Sequence, residues 1–354
     1  MALQLDSYTT LGRSGLRVSP VSLGTMTFGE GWGWGAGEAE SRSMLDTYME
    51  RGGNFIDTAN FYTGGTSETL LGRFLEGRRD RAVIATKYSL NTEPGNVNTG
   101  GNHRRNMVRA VEASLKRLGT DYIDLYYLHV WDYTTPVEEI MRGFDDLVRS
   151  GKIVYAGISD APAWQVSRMQ MLAELRGWAP FVALQIEYSL IERTVEHDLL
   201  PMADALDLGV LAWSPLGSGV LTGKYSRADI EANKGKDMFN GGRAAVAANM
   251  GALSEHNLDI VEVLKEVAED VGHSPAQTAI AWLLAKQAPR VIPILGARTA
   301  KQFEENLAAL DVTFTPAQLQ RLDDASAIDP IFPHRFLPIV QASVSGGASI
   351  ERGW

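Results

Sequence analysis

Residues 104–129 read RRNMVRAVEASLKRLGTDYIDLYYLH, and two periods within that stretch decide the fold. Met107, Val108, Val111, Leu115 and Leu118 recur at the three-to-four-residue spacing that gathers apolar side chains on one face of a helix. Gly119 then suits the left-handed conformation that ends a helix. Residues 123–128 form a short apolar and aromatic run, as expected of a strand buried on both faces. His129 stands at its end. One helix, one tight turn and one buried strand are the repeating unit of a parallel α/β sheet.

The unit recurs in both directions. Strand-like runs lie at 21–27, 54–57, 82–86, 123–128, 153–158, 181–185, 210–212 and 291–294. In 136–149, Val137, Ile140, Met141, Phe144, Leu147 and Val148 again share one helical face. Pro136 and Pro162 stand at helix starts, and Gly52, Gly151 and Gly209 are expected, like Gly119, as left-handed caps. Eight such repeats predict a closed parallel (β/α)8 TIM barrel. A β-hairpin turning at Gly12-Arg13-Ser14-Gly15 precedes it, and additional C-terminal helices follow. Residues 1–354 are expected to form this single domain. The alternative, an open doubly wound sheet, would bind a dinucleotide through Gly-x-Gly-x-x-Gly after its first strand. Residues 29–37 carry glycine at every second position without the required third one, and their Trp32 and Trp34 read as a pocket rim. The polar segment 226–254 is expected to be a long loop, and 329–354, with Pro330, Pro333, Pro338, Gly346 and Gly347, an irregular tail.

Composition narrows the function. The chain is 45% hydrophobic and 21% charged, ordinary for a globular protein, with a net charge of −10. An acidic balance argues against a nucleic-acid partner, which needs a basic surface. The absence of cysteine excludes thiol nucleophiles, disulfides and Cys-ligated metal. The first ten residues lack a secretory pattern, and no run of about 18 apolar residues could span a bilayer. A cytoplasmic protein without a membrane partner is expected. Oligomeric state is left open, a homo-oligomer included.

Barrel enzymes build their sites at the C-terminal ends of the strands. Here the second strand ends in Asp57, with Tyr62 five residues on; the third ends in Lys87 and the fourth in His129. Singly, Asp57 reads as a turn cap, Lys87 as a surface charge, His129 as a core histidine and Tyr62 as packing. Together they suit carbonyl reduction, in which hydride addition leaves negative charge on oxygen that needs a proton donor and hydrogen bonds. An ammonium at Lys87 would lower the pKa of Tyr62, Asp57 would hold Lys87, and His129 would orient the carbonyl or share the proton.

These stretches resemble the aldo-keto reductases. The likeness rests on Gly53-Asn54-Phe55-Ile56-Asp57-Thr58-Ala59-Asn60-Phe61-Tyr62, on Ile84-Ala85-Thr86-Lys87 and on Leu118 to His129. It extends through Gly157-Ile158-Ser159, Gln185, Trp213-Ser214-Pro215-Leu216 and the segment 292–306. The resemblance implies a catalytic set of Asp57, Tyr62, Lys87 and His129.

The loops after strands seven and eight form the usual phosphate site of a barrel. The seventh is followed by Ser214-Pro215-Leu216-Gly217-Ser218-Gly219, ending in Gly223-Lys224, whose amides, hydroxyls and ammonium suit a pyrophosphate. It is one residue too long for a nucleotide-triphosphatase P-loop, and Tyr225 replaces the metal-binding hydroxyl. The eighth is followed by Gly296-Ala297-Arg298 and a helix whose N-terminus suits an anion. Thr299 and Gln302 have capping-box spacing. The resemblance implies that Gly296, Arg298, Gln302, Glu305 and Asn306 hold the adenosine end and that Gly24, Thr25 and Met26 also border the cofactor. Arg298 favours NADPH over NADH. At the nicotinamide end the resemblance implies Ser159, Asp160 and Gln185 on the carboxamide and Trp213 against the ring. Asp160 replaces the family's usual asparagine and cannot donate as an amide does. Standing before Ala161-Pro162, it would serve as a helix N-cap.

Phe28, Trp32, Trp34, Tyr88 and Trp131 are expected to line the substrate pocket. The expected activity is NADPH-dependent reduction of an aldehyde, ketone or keto sugar. The alternatives are an alcohol dehydrogenase working in the oxidative direction with NAD(P), and a cofactor-sensing regulatory subunit, as relatives of the family provide to membrane channels. No metal ligand spacing, His-Glu-x-x-His or Gly-x-Ser-x-Gly motif is present.

Overall fold

The computed structural model describes residues 3–237 and 241–350. A hairpin of β1 (Thr9–Thr10) and β2 (Arg17–Val18) comes first. The barrel strands are β3 (Ser22–Gly24), β4 (Phe55–Asp57), β5 (Val83–Tyr88), β6 (Ile123–Leu128), β7 (Ile153–Ser159), β8 (Phe181–Glu187), β9 (Gly209–Trp213) and β10 (Val291–Leu295). They pair in sequence order, all parallel, and β10 closes on β3. The expected TIM barrel is the fold.

Helices pack around the barrel: α1 (Glu38–Glu50), α2 (Thr66–Phe74), α3 (Arg104–Leu118), α4 (Val137–Arg149), α5 (Ala163–Arg176), α6 (Leu199–Ala205), α7 (Arg227–Asn233), α8 (Gly242–Asn249), α9 (Glu255–Val271), α10 (Pro275–Leu284), α11 (Ala300–Leu307), α12 (Pro316–Ala325) and α13 (Leu337–Val344). Among the described residues, no helix is long and apolar enough to cross a membrane. The apolar face of α3 buries Met107, Val111, Leu115 and Leu118, and Gly119 caps it at φ 63°.

Strand side chains alternate between two cores. The outward set, with Ile56, Ile84, Tyr88, Tyr126 and Leu128, packs under the helices. The inward set, with Phe55, Val83, Ala85, Leu125, Tyr127, Ala183, Leu211, Ile292 and Ile294, fills the barrel. Leu11 and Val18 of the hairpin close its lower end against that set. Gly157 leaves room for Tyr127, whose ring would stand 2.5 Å from an added Cβ.

Three local expectations are corrected. Segment 226–254 is not a structureless loop: Ser226 and Asp229 form a capping box that starts α7, and α8 follows. Likewise 329–354 includes α13, whose first turn accommodates Pro338. Residues 238–240 and 351–354 of these segments lie outside the described residues. Gly209 is not a helix cap but the first residue of β9. The left-handed turn falls on Asp207 (φ 51°), and Gly209 is needed because a Cβ would meet Leu11 Cδ1 at 2.5 Å.

The floor turn lies close against the barrel backbone. Gly12 has φ 53°, and an added Cβ would lie 2.4 Å from Val182 O and 2.5 Å from Asp207 O. Gly12→Ala should therefore cost about 1–3 kcal/mol in urea denaturation. Gly15→Ala, where nothing lies within 4 Å of the added Cβ, should stay within about 0.5 kcal/mol.

Candidate active site

The inward alternation delivers polar or aromatic groups at the tops of β4 to β9. Phe55 leads to Asp57, Val83 and Ala85 to Lys87, and Leu125 and Tyr127 to His129. On β8 the series Ala183, Gln185, Glu187 runs the same way, and Leu211 leads to Trp213. Ser159 ends β7. Adjacent strands thus bring Asp57, Lys87, His129, Ser159, Gln185 and Trp213 to one mouth, without any two being close in sequence.

Lys87 is fully buried, and its ammonium has three donors to satisfy. Its Nζ donates to Asp57 Oδ1 at 2.6 Å, to Thr58 O at 2.9 Å and to Tyr62 OH at 3.2 Å. Gln185 Nε2 donates to the other Asp57 oxygen at 2.8 Å. Burial alone would lower the Lys87 pKa, but Asp57 and Tyr62 outweigh it and hold the ammonium above its ordinary value. For Tyr62 the expected lowering is overturned. Burial raises its pKa more than Lys87 lowers it, with Asp57 adding to the rise, so the phenol carries its proton at neutral pH. His129 is pushed well below its ordinary value by burial and then by Lys87, which keeps the imidazole neutral. Its ring lies edge-on to Tyr62, centroids 6.0 Å apart.

Tyr62 is carried on a short turn in which Thr63, Gly64 and Gly65 all take positive φ. Thr63 Oγ1 donates to Phe28 O at 2.8 Å, tying that turn to the loop after β3. Phe28 is accordingly no pocket residue: it is fully buried and packs near Phe74. Tyr88 is also placed elsewhere. One residue beyond Lys87, it points to the opposite face and stacks on Tyr126 beneath α4. Trp32 stands beside Tyr62, with centroids 6.4 Å apart, and Trp34 stands beside Trp32 at 5.5 Å. Trp131 donates its backbone N–H to Asp160 O.

The phosphate side differs in detail from expectation. Gly217, Ser218, Gly219 and Leu221 donate their amides within their own turn, to Ser214 O, Ser214 Oγ and Leu216 O. Pro215 lies within that turn. Lys224 folds back over Gly219, and its pKa is lowered by burial and by the charges of Arg243 and Arg298. Arg243, on α8, was hidden in a segment that reads as loop; its guanidinium lies 5.8 Å from the Trp34 ring centre. Among the described residues, Lys224, Arg243 and Arg298 form no ion pair. The N-terminus of α11 is capped by Thr299 Oγ1 and also receives Glu40, whose carboxylate accepts from Ala300 N at 2.6 Å. Gln302 Oε1 accepts from Arg298 N. Glu305 is 3.8 Å from Lys301 Nζ, and Asn306 follows it on α11. Gly296 stands at the end of β10. Of the first loop, Gly24 packs against Ile294, Thr25 Oγ1 donates to Asp57 O, and Met26 is exposed.

The residues fit a dinucleotide. Three cations without an ion-pair partner among the described residues suit its phosphates, and at the other end Ser159 Oγ and His129 Nδ1 are buried without a hydrogen-bond partner among those residues. Asp160 is not a helix N-cap, since Pro162 holds that position. It takes φ 44°, and its carboxylate accepts from Trp213 Nε1 at 3.0 Å.

A closed parallel barrel thus carries at its mouth a buried lysine–aspartate pair bonded to a tyrosine. Residues 20–327 match the model of the aldo/keto reductase family. The chain is 39% identical over 334 residues to norsolorinic acid reductase of Aspergillus flavus, covering 92% of this chain and 82% of that protein. It is 38% identical over 335 residues to aryl-alcohol dehydrogenase [NADP(+)] of Phanerodontia chrysosporium, covering 90% and 86%. It is 37% identical over 344 residues to aldo-keto reductase ausK of Emericella nidulans, covering 94% and 84%. The chain belongs to the aldo/keto reductase family, a family of oxidoreductases.

Removing Asp57 alone would leave a buried ammonium without its counter-ion. Asp57→Leu should cost about 3–5 kcal/mol in chemical denaturation, and Asp57→Leu/Lys87→Met should recover most of that loss.

Proposed function

We propose that this enzyme reduces an aromatic aldehyde or ketone to the alcohol with NADPH, Tyr62 supplying the proton. The observation that carries the reading is the bond from Lys87 Nζ to Tyr62 OH. The phenol oxygen accepts from the ammonium, which leaves its own proton to donate outward. NADPH, when bound, supplies the hydride. As charge develops on the carbonyl oxygen, Tyr62 OH donates to it, and the forming phenolate stays beside the Lys87 ammonium. Asp57 and Gln185 hold that ammonium in place. The neutral His129 orients the carbonyl through a hydrogen bond.

Lys224, Arg243 and Arg298 would hold the cofactor phosphates, with Arg298 reading the 2′-phosphate. Ser159, Gln185 and Trp213 would hold the nicotinamide end. An aromatic substrate is favoured by the Trp32, Trp34 and Trp131 walls, and the names of the norsolorinic acid and aryl-alcohol relatives agree with it. The chain would serve as one barrel domain, to which α7, α8 and α13 are additions.

Tyr62→Phe keeps the ring and removes the proton. With a benzaldehyde substrate its kcat should fall about 10²- to 10⁴-fold, while the NADPH dissociation constant stays within about 2-fold. Near-normal turnover would remove Tyr62 from the acid role. Arg298→Ala should weaken NADPH about 10-fold or more, the worth of a charge-assisted contact. NADH, which lacks the 2′-phosphate, should be little affected. Equal losses for both cofactors in equilibrium titration would assign Arg298 elsewhere.

A further inference from the structure

Three groups pin Asp160. Its backbone N–H donates to Gln185 O, its carbonyl accepts from Trp131 N, and its side chain accepts from Trp213 Nε1. A non-glycine residue at φ 44° is held there only when its surroundings over-determine it. Asp160 is exposed at the mouth, and neighbouring protein still crowds its carboxylate there. Burial pushes its pKa up to about 6, against the Trp213 bond and the Lys87 charge. Glu187, paired with Trp213 across β8 and β9, is pushed up to about 7 by burial, Glu192 and Asp160. Asp160 thus has no ion-pair partner among the described residues, because Lys87 is engaged with Asp57, Thr58 and Tyr62. At neutral pH a carboxylate beside Trp213 is an uncompensated negative charge.

The two forms of the cofactor differ at that end by one charge: the oxidised nicotinamide ring is cationic and the reduced ring is neutral. We propose that Asp160 sets the redox preference of the site, its carboxylate holding NADP+ more tightly, relative to NADPH, than a neutral amide in its place would. The inference rests on the reading that the nicotinamide end lies at Ser159, Gln185 and Trp213. Its chemical consequence is that bound NADPH becomes a stronger hydride donor, because stabilising the oxidised ring shifts the bound pair toward NADP+, which favours carbonyl reduction over alcohol oxidation on the enzyme. A carboxylate beside a cationic ring in a partly wet mouth changes the affinity ratio roughly 5-fold.

The test is equilibrium binding without substrate. Dissociation constants for NADP+ and NADPH are measured by calorimetry for the parent protein and for Asp160→Asn, which keeps the shape and the hydrogen bond from Trp213. At pH 8 the ratio of the NADP+ constant to the NADPH constant should rise about 5-fold in Asp160→Asn. A loss of packing alone would weaken both forms together and leave the ratio unchanged. In the parent protein the same ratio should rise as pH falls from 8 to 5 and Asp160 takes up a proton. The groups facing Asp160 are Lys87, Tyr62 and Glu187. Glu187 remains in Asp160→Asn, so its share of the pH dependence is read there and subtracted. The cofactor's own phosphate titrates in both forms and cancels in the ratio. An equal ratio for parent and variant at pH 8, or no difference between their pH profiles, overturns the proposal. Failure of the parent protein to bind either cofactor overturns the proposed function itself, and with it this inference.

Discussion

A buried ammonium ion must find three acceptors, and that single constraint organises the mouth of the barrel. Lys87 lies where the alternation of β5 turns its side chain inward, above Val83 and Ala85. An unpaired charge there would cost several kcal/mol. Asp57 on the neighbouring β4 answers the charge, the Thr58 carbonyl takes a second proton, and Tyr62 takes the third. Gln185, arriving from β8 across the barrel, satisfies the remaining Asp57 oxygen. The cluster that suits proton transfer is therefore also the arrangement that makes the charge tolerable.

The same cluster fixes the protonation states around it. Burial raises the Tyr62 phenol even beside an ammonium, and the ammonium helps drive His129 to its neutral form. Two neutral hydrogen-bonding groups thus face the mouth above a charge that is already compensated. Farther out the mouth is electrically uneven. Lys224, Arg243 and Arg298 stand together on the side of the loops after β9 and β10, whereas Asp160 and Glu187 flank Trp213. Such an uneven field suits a ligand that is polyanionic along its length and, in its oxidised form, cationic at its tip.

Where reading along the chain went astray, the cause is the third dimension. Tyr88 is aromatic and next to Lys87, but one residue along a strand reverses the face, so it packs under α4. Phe28 sits in the right loop, yet its ring goes into the core and its carbonyl serves as an anchor for Thr63. Asp160 before Ala161-Pro162 has the local signature of a cap, but the indole of Trp213, 53 residues away in sequence, takes its side chain instead. The effect of Lys87 on Tyr62 had the right sign, but only burial, unknown from sequence, shows that it is outweighed. Arg243 and Glu40 carried no readable signal at all, since each meets its partners across a fold distance that no motif spans.

By itself the amino-acid sequence determined the periodicities, and with them the eight strands, the closed barrel, the identity of the groups at the strand ends and the helices between the strands, α7 and α8 excepted. Those are local properties, set by which side chains share a face. Only the tertiary structure decided which groups touch, which charges are compensated and which way each pKa moves. Those depend on the solvent excluded from a site and on distances between residues far apart in the chain. The ammonium of Lys87 shows both levels at once. Its inward position follows from a two-residue alternation, and its three acceptors exist only because the barrel closes.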